Sequence, residues 1–548
     1  MGSTEFNLPD VFDTVVGEHP DRPAIVWRDL ELSYAQLADR SRRLAAYLRS
    51  RGLGVHRERS ELAGHESGQD HLGIYLYNGN EYIETMLGAF RARVAPFNVN
   101  YRYVEDELVY LLTDATCRAL VYHETFAPTL AAVLDRLEGV EVLIQVADGS
   151  GHGLLPGAVD YETVIAETGP ELDVRPSPDD LYILYTGGTT GMPKGVLWRQ
   201  HDIYMGAMGG RSMFTWDAVS SYDDVVERAR NNATPLRMLI LPPLMHGAAQ
   251  WAAFIGLTGA QTLVFPNETR RLDPVDVWRT VERHRANSMT TVGDAVARPL
   301  VEELERGDYD ASSLVGIGNG GAPLTPTIKE RLLAQLPHLI VSDSAGASET
   351  GAQMSHMSTA GSVGTGKFAP GPDTVVVTED MTAIAAPGHE GLGWLAQGGW
   401  VPLGYYNDPE KTARTFPVID GARYAVPGDR ARHLADGQIE LLGRDSVTIN
   451  SGGEKIFAEE VERAIASHPA VHDVVAVGRP SERWGQEVVA LVELSEGATA
   501  TEDQIIAHAG KSIARYKLPK AVLFLDHIQR SPAGKADYRW AKAQVGAN

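Results

Sequence analysis

The segment Tyr185-Thr186-Gly187-Gly188-Thr189-Thr190-Gly191-Met192-Pro193-Lys194-Gly195 follows an apolar run and holds the densest chemical potential in the chain. Its glycines let backbone N–H groups approach and wrap phosphate oxygens, its threonine hydroxyls add donors, and Lys194 brings a positive charge. Together they read as a polyphosphate cradle; a glycine- and threonine-rich surface turn is the plain alternative. The segment is not a G-x-x-x-x-G-K-[ST] loop, because Gly195 follows the lysine where a magnesium-binding Ser or Thr belongs. Two other glycine patterns read as decoys. Gly316-x-Gly318-x-x-Gly321 suggests a dinucleotide fingerprint, but Pro323 and Pro326 stand where the pyrophosphate-facing helix should run. Gly510-Lys511-Ser512 lacks the first P-loop glycine, since Ile505 occupies that position, and reads as a helix end.

Strand-like apolar runs alternate with helix-like segments along most of the sequence, which implies an α/β fold: a large N-terminal domain of parallel and mixed sheets flanked by helices. Ser33-Tyr34-Ala35-Gln36 reads as a capping box, with Leu37, Leu44 and Leu48 on one helix face. Asp273-Pro274 and Thr325-Pro326 read as N-cap and first helical residue. Candidate strands are Leu181–Tyr185, Met238–Leu241, Thr262–Phe265 and Leu339–Ser342. The polar stretch Gly54–His71 holds His56, His65 and His71 without tight metal-ligand spacing and reads as a solvated surface loop. Met1–Phe6 carries no structural weight in this reading. After Gly443-Arg444-Asp445 a fresh set begins, with a helix at Phe457–Ser467 and strands at Val474–Val477, Val488–Leu494 and Ala521–Leu525. The expected division is 1–444 for the large domain and 445–548 for a small, mobile α+β domain.

The 548 residues provide ample core, and no apolar run is long enough for a membrane-spanning helix. The net charge of −23 disfavours a broadly nucleic-acid-binding surface, so a phosphate site must be local. A single cysteine, Cys117, reads as packing, and with no signal-peptide pattern at the N-terminus a cytoplasmic location is expected.

The cradle resembles the phosphate-binding signature of the adenylate-forming superfamily, the acyl-CoA synthetases and their relatives. The resemblance continues through Asn98-Val99-Asn100-Tyr101-Arg102, an early signature, and Leu241-Pro242-Pro243-Leu244-Met245-His246-Gly247, the segment that lines the acyl pocket and gates ATP entry. Gly320-Gly321-Ala322-Pro323 resembles the adenine-side loop, Ser348-Glu349-Thr350 the segment whose glutamate holds magnesium, and Gly428-Asp429 the one whose aspartate grips the ribose hydroxyls. Gly443-Arg444-Asp445 resembles the hinge, Ser451-Gly452-Gly453-Glu454-Lys455 the loop facing the thiol tunnel, and Ser531-Pro532-Ala533-Gly534-Lys535 the loop with the catalytic lysine. Two positions depart from the pattern. Ala345 stands where the family usually has an aromatic residue, and Pro427 where it commonly has threonine.

The resemblance implies Lys535, Glu349 and Thr190 as catalytic, with Glu349 the magnesium ligand. Nucleotide contacts fall to Thr186, Gly187, Gly188, Thr189, Thr190, Gly191, Lys194, Gly320, Gly321, Ala322, Ser348, Asp429, Arg444 and Lys535. Met245, His246, Gly247 and Gly320 are implied in the acyl pocket, Ser451, Gly452 and Gly453 in the coenzyme A tunnel, and Asp445 as pivot. The implied reaction consumes ATP with Mg2+, forms an acyl adenylate, and transfers the acyl group to coenzyme A. The segment after Gly247 is small and uncharged, where amino-acid-activating relatives carry an acidic residue, so an apolar acid is expected. Gly195-Val196-Leu197-Trp198-Arg199 resembles bacterial enzymes for fatty acids or sterol side-chain acids. A homodimer is compatible with this reading. Two alternatives are a fatty-acyl-AMP ligase that stops at the adenylate and, prompted by Ala345 and Pro427, a non-catalytic nucleotide-binding regulator.

Overall fold

The computed structural model describes residues 4–186, 192–212, 215–232, 234–364, 366–451, 454–481, 483–530 and 534–546. Among them three sheets of thirteen, eight and five strands carry the fold, with helices between consecutive parallel strands. The eight-stranded sheet pairs His71–Tyr75 in parallel with Ala95–Asn98 and Cys117–His123, and Leu181–Thr186 turns back antiparallel onto Lys194–Arg199. In the thirteen-stranded sheet Arg237–Leu239, Ser288–Thr291, Gly316–Gly320 and Ile340–Ala347 run parallel, and Gly351–Ser358 returns antiparallel beside the last. Helix Gly247–Thr258 packs Ala249, Ala253, Phe254 and Leu257 into a cluster with Leu184 and Trp198 from the other sheet. Buried Gln250 is satisfied by Tyr182, Tyr82 and the Leu244 carbonyl, which fixes the segment leading into the helix.

The C-terminal residues build their own core. Helix Ala458–Ala466, the long hairpin Val471–Ser481 with Gly485–Leu494, strand Ala521–Phe524 and helix Tyr538–Gly546 share one apolar cluster that starts at Val447.

Local expectations meet the structure unevenly. The capping box forms: Gln36 N–H donates to Ser33 Oγ at 3.2 Å and Ser33 N–H to Gln36 Oε1 at 2.8 Å. Asp273 caps its helix through the Asp276 N–H at 3.1 Å. Thr325 takes the N-cap position ahead of Pro326, but its side chain makes no cap hydrogen bond. Its hydroxyl donates instead to the Asp294 carboxylate at 2.8 Å, a charged acceptor that makes the stronger bond. His71 is no loop residue either. It opens a strand and is buried, with its ring nitrogens 2.5 Å from the Ala115 carbonyl and 2.7 Å from Ser67 Oγ. Burial lowers its pKa to about 4, so the ring is neutral and fits an interior position once both nitrogens are partnered. Phe6 is also buried, against Tyr204 and Tyr222, with its N–H on His201 Nδ1. Gly510 ends helix Glu502–Ala509, and Cys117 is buried with its thiol pKa pushed up to about 12 by burial.

Candidate functional site

The parallel strands of the thirteen-stranded sheet all end on one side, and a cavity of about 1350 Å³ opens there. Thr186, His246, Gly320, Gly321, Ser348 and Lys535 line this end, although they come from both large sheets and from the last residues of the chain.

Asn98 ties the first two pieces together. Its side-chain N–H groups donate to the carbonyls of Tyr185 at 2.9 Å and Met245 at 2.7 Å, and its oxygen accepts from Tyr185 N–H at 2.8 Å. The strand leading into the cradle is thereby locked to the segment carrying His246. Residues Gly187, Gly188, Thr189, Thr190 and Gly191 lie outside the described residues. On the far side of that turn Lys194 pairs in register with Thr186 and stands 3.7 Å from Asp408. From the 241–247 segment the wall takes Pro242, His246 and Gly247, while Met245 is buried outside the lining. Burial, then the charges of Lys535 and Arg102, lower the His246 pKa to about 3, so this imidazole is neutral near pH 7.

Glu349 sits at the turn between Ile340–Ala347 and Gly351–Ser358, 8 % exposed, and two side chains from the other sheet hold this turn. Tyr405 O–H donates to Glu349 Oε1 at 2.6 Å, and Trp198 Nε1–H donates to the Ser348 carbonyl at 2.9 Å. Asp429 and Arg444 are cross-strand partners with 3.3 Å between Oδ1 and Nε. Asp429 is the leading cause that raises the Arg444 pKa, because the carboxylate favours the charged guanidinium.

Lys535 completes the group. The preceding Gly534 has φ +72°, and a Cβ there would sit 3.4 Å from Ala295, so glycine suits a turn laid against the large sheet unit. The Lys535 side chain is exposed to solvent and lines the cavity. Its pKa is lowered, first by desolvation and then by Arg444, with Asp429 and Glu349 opposing.

The remaining expected positions are dispersed. Ala322 lies behind the lining, its carbonyl accepting from Asn319. Asp445 begins a short turn, with its N–H on the Gly428 carbonyl at 3.1 Å and its carboxylate 3.9 Å from buried Arg430. Ser451 lies on a C-terminal hairpin away from the cavity lining, while Gly452 and Gly453 fall outside the described residues. Beside them Lys455 reaches Glu379 of the large sheet unit at 3.1 Å.

The donor chemistry fits magnesium of the phosphate-borne kind. Among the described residues no group of three or more His, Cys, Asp or Glu side chains could cage a metal, and Mg2+ is commonly held by one or two carboxylates with phosphate and water. Glu349, next to the lining residue Ser348, is the carboxylate that could serve as such a ligand.

The family model for the AMP-binding enzyme matches residues 12–406, and that for the AMP-binding enzyme C-terminal domain matches residues 460–535. The chain is an AMP-binding enzyme. It is 61% identical over 544 residues to the medium-chain acyl-CoA ligase Mig of Mycobacterium avium, covering 99% of each protein. It is 40% identical to the 3-oxocholest-4-en-26-oate–CoA ligase of Rhodococcus rhodochrous, over 98% of this chain and 96% of that one. Among solved structures, the anthranilate CoA ligase AuaEII in complex with anthranoyl-AMP superposes with a TM-score of 0.80 at 18% identity, covering 99% of this chain and 97% of that one, and shares the fold. These relatives are acid–thiol ligases, and this AMP-binding enzyme is a member of the same adenylate-forming class.

Several site features of this AMP-binding enzyme escape a reading by motif. Tyr405 and Trp198 act on the Ser348-Glu349 turn from a different sheet, and only tertiary structure brings them there. Gly316 and Gly318 are floor residues of the cavity, with no atom within 4 Å of an added Cβ, and not a dinucleotide loop. Ala345 also lines the cavity.

Proposed function

We propose that the chain is an ATP-dependent acyl-CoA ligase acting on medium- to long-chain or similarly apolar carboxylic acids. One observation carries this reading: Lys535, from the end of the chain, enters the same cavity as Thr186 and Ser348, where its ammonium senses Glu349, Asp429 and Arg444.

In the first half-reaction a carboxylate oxygen of the acid attacks the α-phosphorus of ATP. The bond from that phosphorus to the bridging oxygen breaks, and pyrophosphate leaves with its electrons. Lys535 stabilises charge on the phosphoryl oxygens, and Asp429, oriented by Arg444, accepts from the ribose hydroxyls. Glu349 would hold Mg2+, which would further neutralise phosphate charge. In the second half the coenzyme A sulfur attacks the acyl carbon, the bond to AMP breaks, and AMP leaves. Turning of the small C-terminal unit about Asp445 would withdraw Lys535 and bring the Ser451–Lys455 hairpin forward between the steps. Neutral His246 and the small residues after Gly247 offer no counter-charge to an amino group on the acid, which supports an apolar acyl chain. Use of ATP and coenzyme A is in keeping with a cytoplasmic site of action.

The test is acid-dependent pyrophosphate release over a panel of carboxylates, with and without coenzyme A. AMP and thioester should accumulate together for apolar acids when coenzyme A is present. Adenylate without thioester in the presence of coenzyme A would leave a fatty-acyl-AMP ligase, and no acid-dependent pyrophosphate at all would leave a nucleotide-binding regulator.

A further inference from the structure

A lysine with no exposed surface stands behind the cavity wall. Helix Pro326–Gln335 turns Lys329 inward on the same side as the apolar residues Ile328, Leu332 and Leu333. A lysine is kept in such a place only when it is paired. Its Nζ donates to the Asp343 carboxylate and, at 2.6 Å, to the Gly364 carbonyl, so the pair is held between two strands' worth of backbone and one helix.

The ion pair continues into the wall itself. Asp343 and Asn319 are register partners on neighbouring parallel strands, and Asp343 Oδ1 accepts from Asn319 Nδ2 at 2.9 Å. The same Nδ2 donates to the Ala322 carbonyl at 3.1 Å, and Asn319 Oδ1 accepts from the Gly293 N–H at 2.7 Å. With a carboxylate and a carbonyl facing its nitrogen and an N–H facing its oxygen, the amide has a single satisfied orientation. Asn319 thereby ties two segments together. One is the Gly320–Ala322 turn, with Gly320 and Gly321 in the cavity lining; the other is the start of helix Gly293–Arg306, preceded by the lining residue Val292. Gly293 has φ +56°, and a Cβ there would stand 2.5 Å from the Pro323 carbonyl oxygen. Asp294 closes the contact by accepting from the Thr325 N–H and hydroxyl, each at 2.8 Å. The turn that carries Lys535 rests on this same helix start, with Gly534 against Val292 and Ala295.

We propose that Lys329 is a positioning residue for the nucleotide: the buried chain Lys329–Asp343–Asn319 sets the Gly320–Ala322 turn against the base and the Gly293–Ala295 helix start beneath the Lys535 turn. The inference rests on the acyl-ligase reading, in which that turn is the adenine side, and deepens it by naming what holds the turn in place. Lys329 touches no substrate. It acts through Asp343, keeping a carboxylate aimed at Asn319, and a carboxylate is a stronger acceptor than a neutral oxygen. Were the Asn319 amide to turn, the Ala322 carbonyl and the Gly293 N–H would lose their partner together, and the turn would come free of the helix start. Apolar side chains of similar volume often serve stability as well as a buried ion pair does, so stability is a poor account of this one.

The deciding variant is Lys329→Met/Asp343→Leu, which replaces the ion pair by apolar side chains and removes the acceptor that pins Asn319. We expect it to melt within about 5 °C of the parent. Its KM for ATP should rise at least about tenfold, the size of one lost hydrogen bond to a charged group, while KM for the acid stays within about twofold. The ratio of kcat/KM for ATP to that for GTP should fall about tenfold, because a loosened turn reads the base less strictly, and the affinity for AMP in a calorimetric titration should fall by a similar factor. Lys329→Met should move the same constants at least as far, since it leaves the Asp343 carboxylate buried without its cation. The double variant decides whether or not that single variant folds. A pair that serves structure only would lower kcat through the active fraction and leave both KM values and the ATP-to-GTP ratio as in the parent, and that result overturns the proposal. So does an equal rise in KM for acid and ATP, or a double variant that does not fold. Absence of acid-dependent pyrophosphate release from the parent overturns the ligase reading instead, and the AMP titration still tests Lys329 in that case.

Discussion

The two ends of the cavity are built in opposite ways. Beside one end paired groups hold each other: Asp429 with Arg444, Glu349 with Tyr405, and the Ser348 carbonyl with Trp198. At the other end the floor is glycine, at Gly316 and Gly318. Preorganised charge is costly to assemble and tolerates little variation in what it meets. One region is therefore fixed by paired groups, while the other is left open by the absence of side chains.

The largest expected effect breaks the reaction end alone. Lys535→Ala should slow adenylate formation about a hundredfold or more, since a preorganised electrostatic contact to the transition state is lost. Thioester formation from supplied acyl adenylate and coenzyme A should persist, measured in a separate half-reaction assay. An equal fall in both halves would mean that Lys535 is not specific to the first step.

Glu349→Gln is next, with acid-dependent pyrophosphate release falling by at least about tenfold, because a hydrogen bond to a charged group contributes about 1.5 kcal/mol or more. The magnesium concentration for half-activity should rise, since a neutral amide is a poor ligand for a hard cation. An unchanged magnesium dependence would remove Glu349 from the proposed metal site.

A smaller effect concerns the frame rather than either end. The pKa of His71 falls from 6.5 to about 4 on burial, so the unfolded chain takes up a proton that the fold excludes. Its contribution to stability is full above about pH 6.5 and is lost as the pH falls toward 4, at a loss of about 1 kcal/mol between pH 7 and pH 5.5. Denaturant melts across that range should show a shallower slope for His71→Gln than for the parent, and identical slopes would mean that the ring titrates in the fold.

The smallest effect is that of Lys194→Ala. The side chain is partly exposed and its Asp408 partner is 3.7 Å away, so stability should change by no more than about 0.5 kcal/mol. KM for ATP should rise about threefold to fivefold from the lost charge beside the cradle, and unchanged kinetics at limiting ATP would detach Lys194 from the nucleotide.

The contrast between the two ends also explains what the sequence discloses. The α/β class follows from alternating apolar runs, and the glycine-flanked Thr186, Lys194, Asp429 and Lys535 stand out because reactive side chains in tight turns are chemically conspicuous. Tyr405 and Trp198 do not stand out, since an aromatic residue in a strand looks like core until tertiary structure aims its polar edge at a neighbour. Gly316 and Gly318 mislead for a deeper reason. A cavity floor is made of missing side chains, and the same spacing serves a phosphate turn when a helix follows directly. His71 misleads because its polarity on paper vanishes once both ring nitrogens are satisfied.

The two hydrogen bonds that hold the Ser348-Glu349 turn carry a consequence for how the enzyme comes into being. Tyr405 and Trp198 belong to the eight-stranded sheet and the turn to the thirteen-stranded one. Neither sheet alone contains a placed Glu349, however well it is formed. The carboxylate takes its working position only after the sheets have docked, a late and non-local event in folding. During refolding, recovery of activity therefore times the docking of the two sheets, lagging behind the return of strands and helices within each.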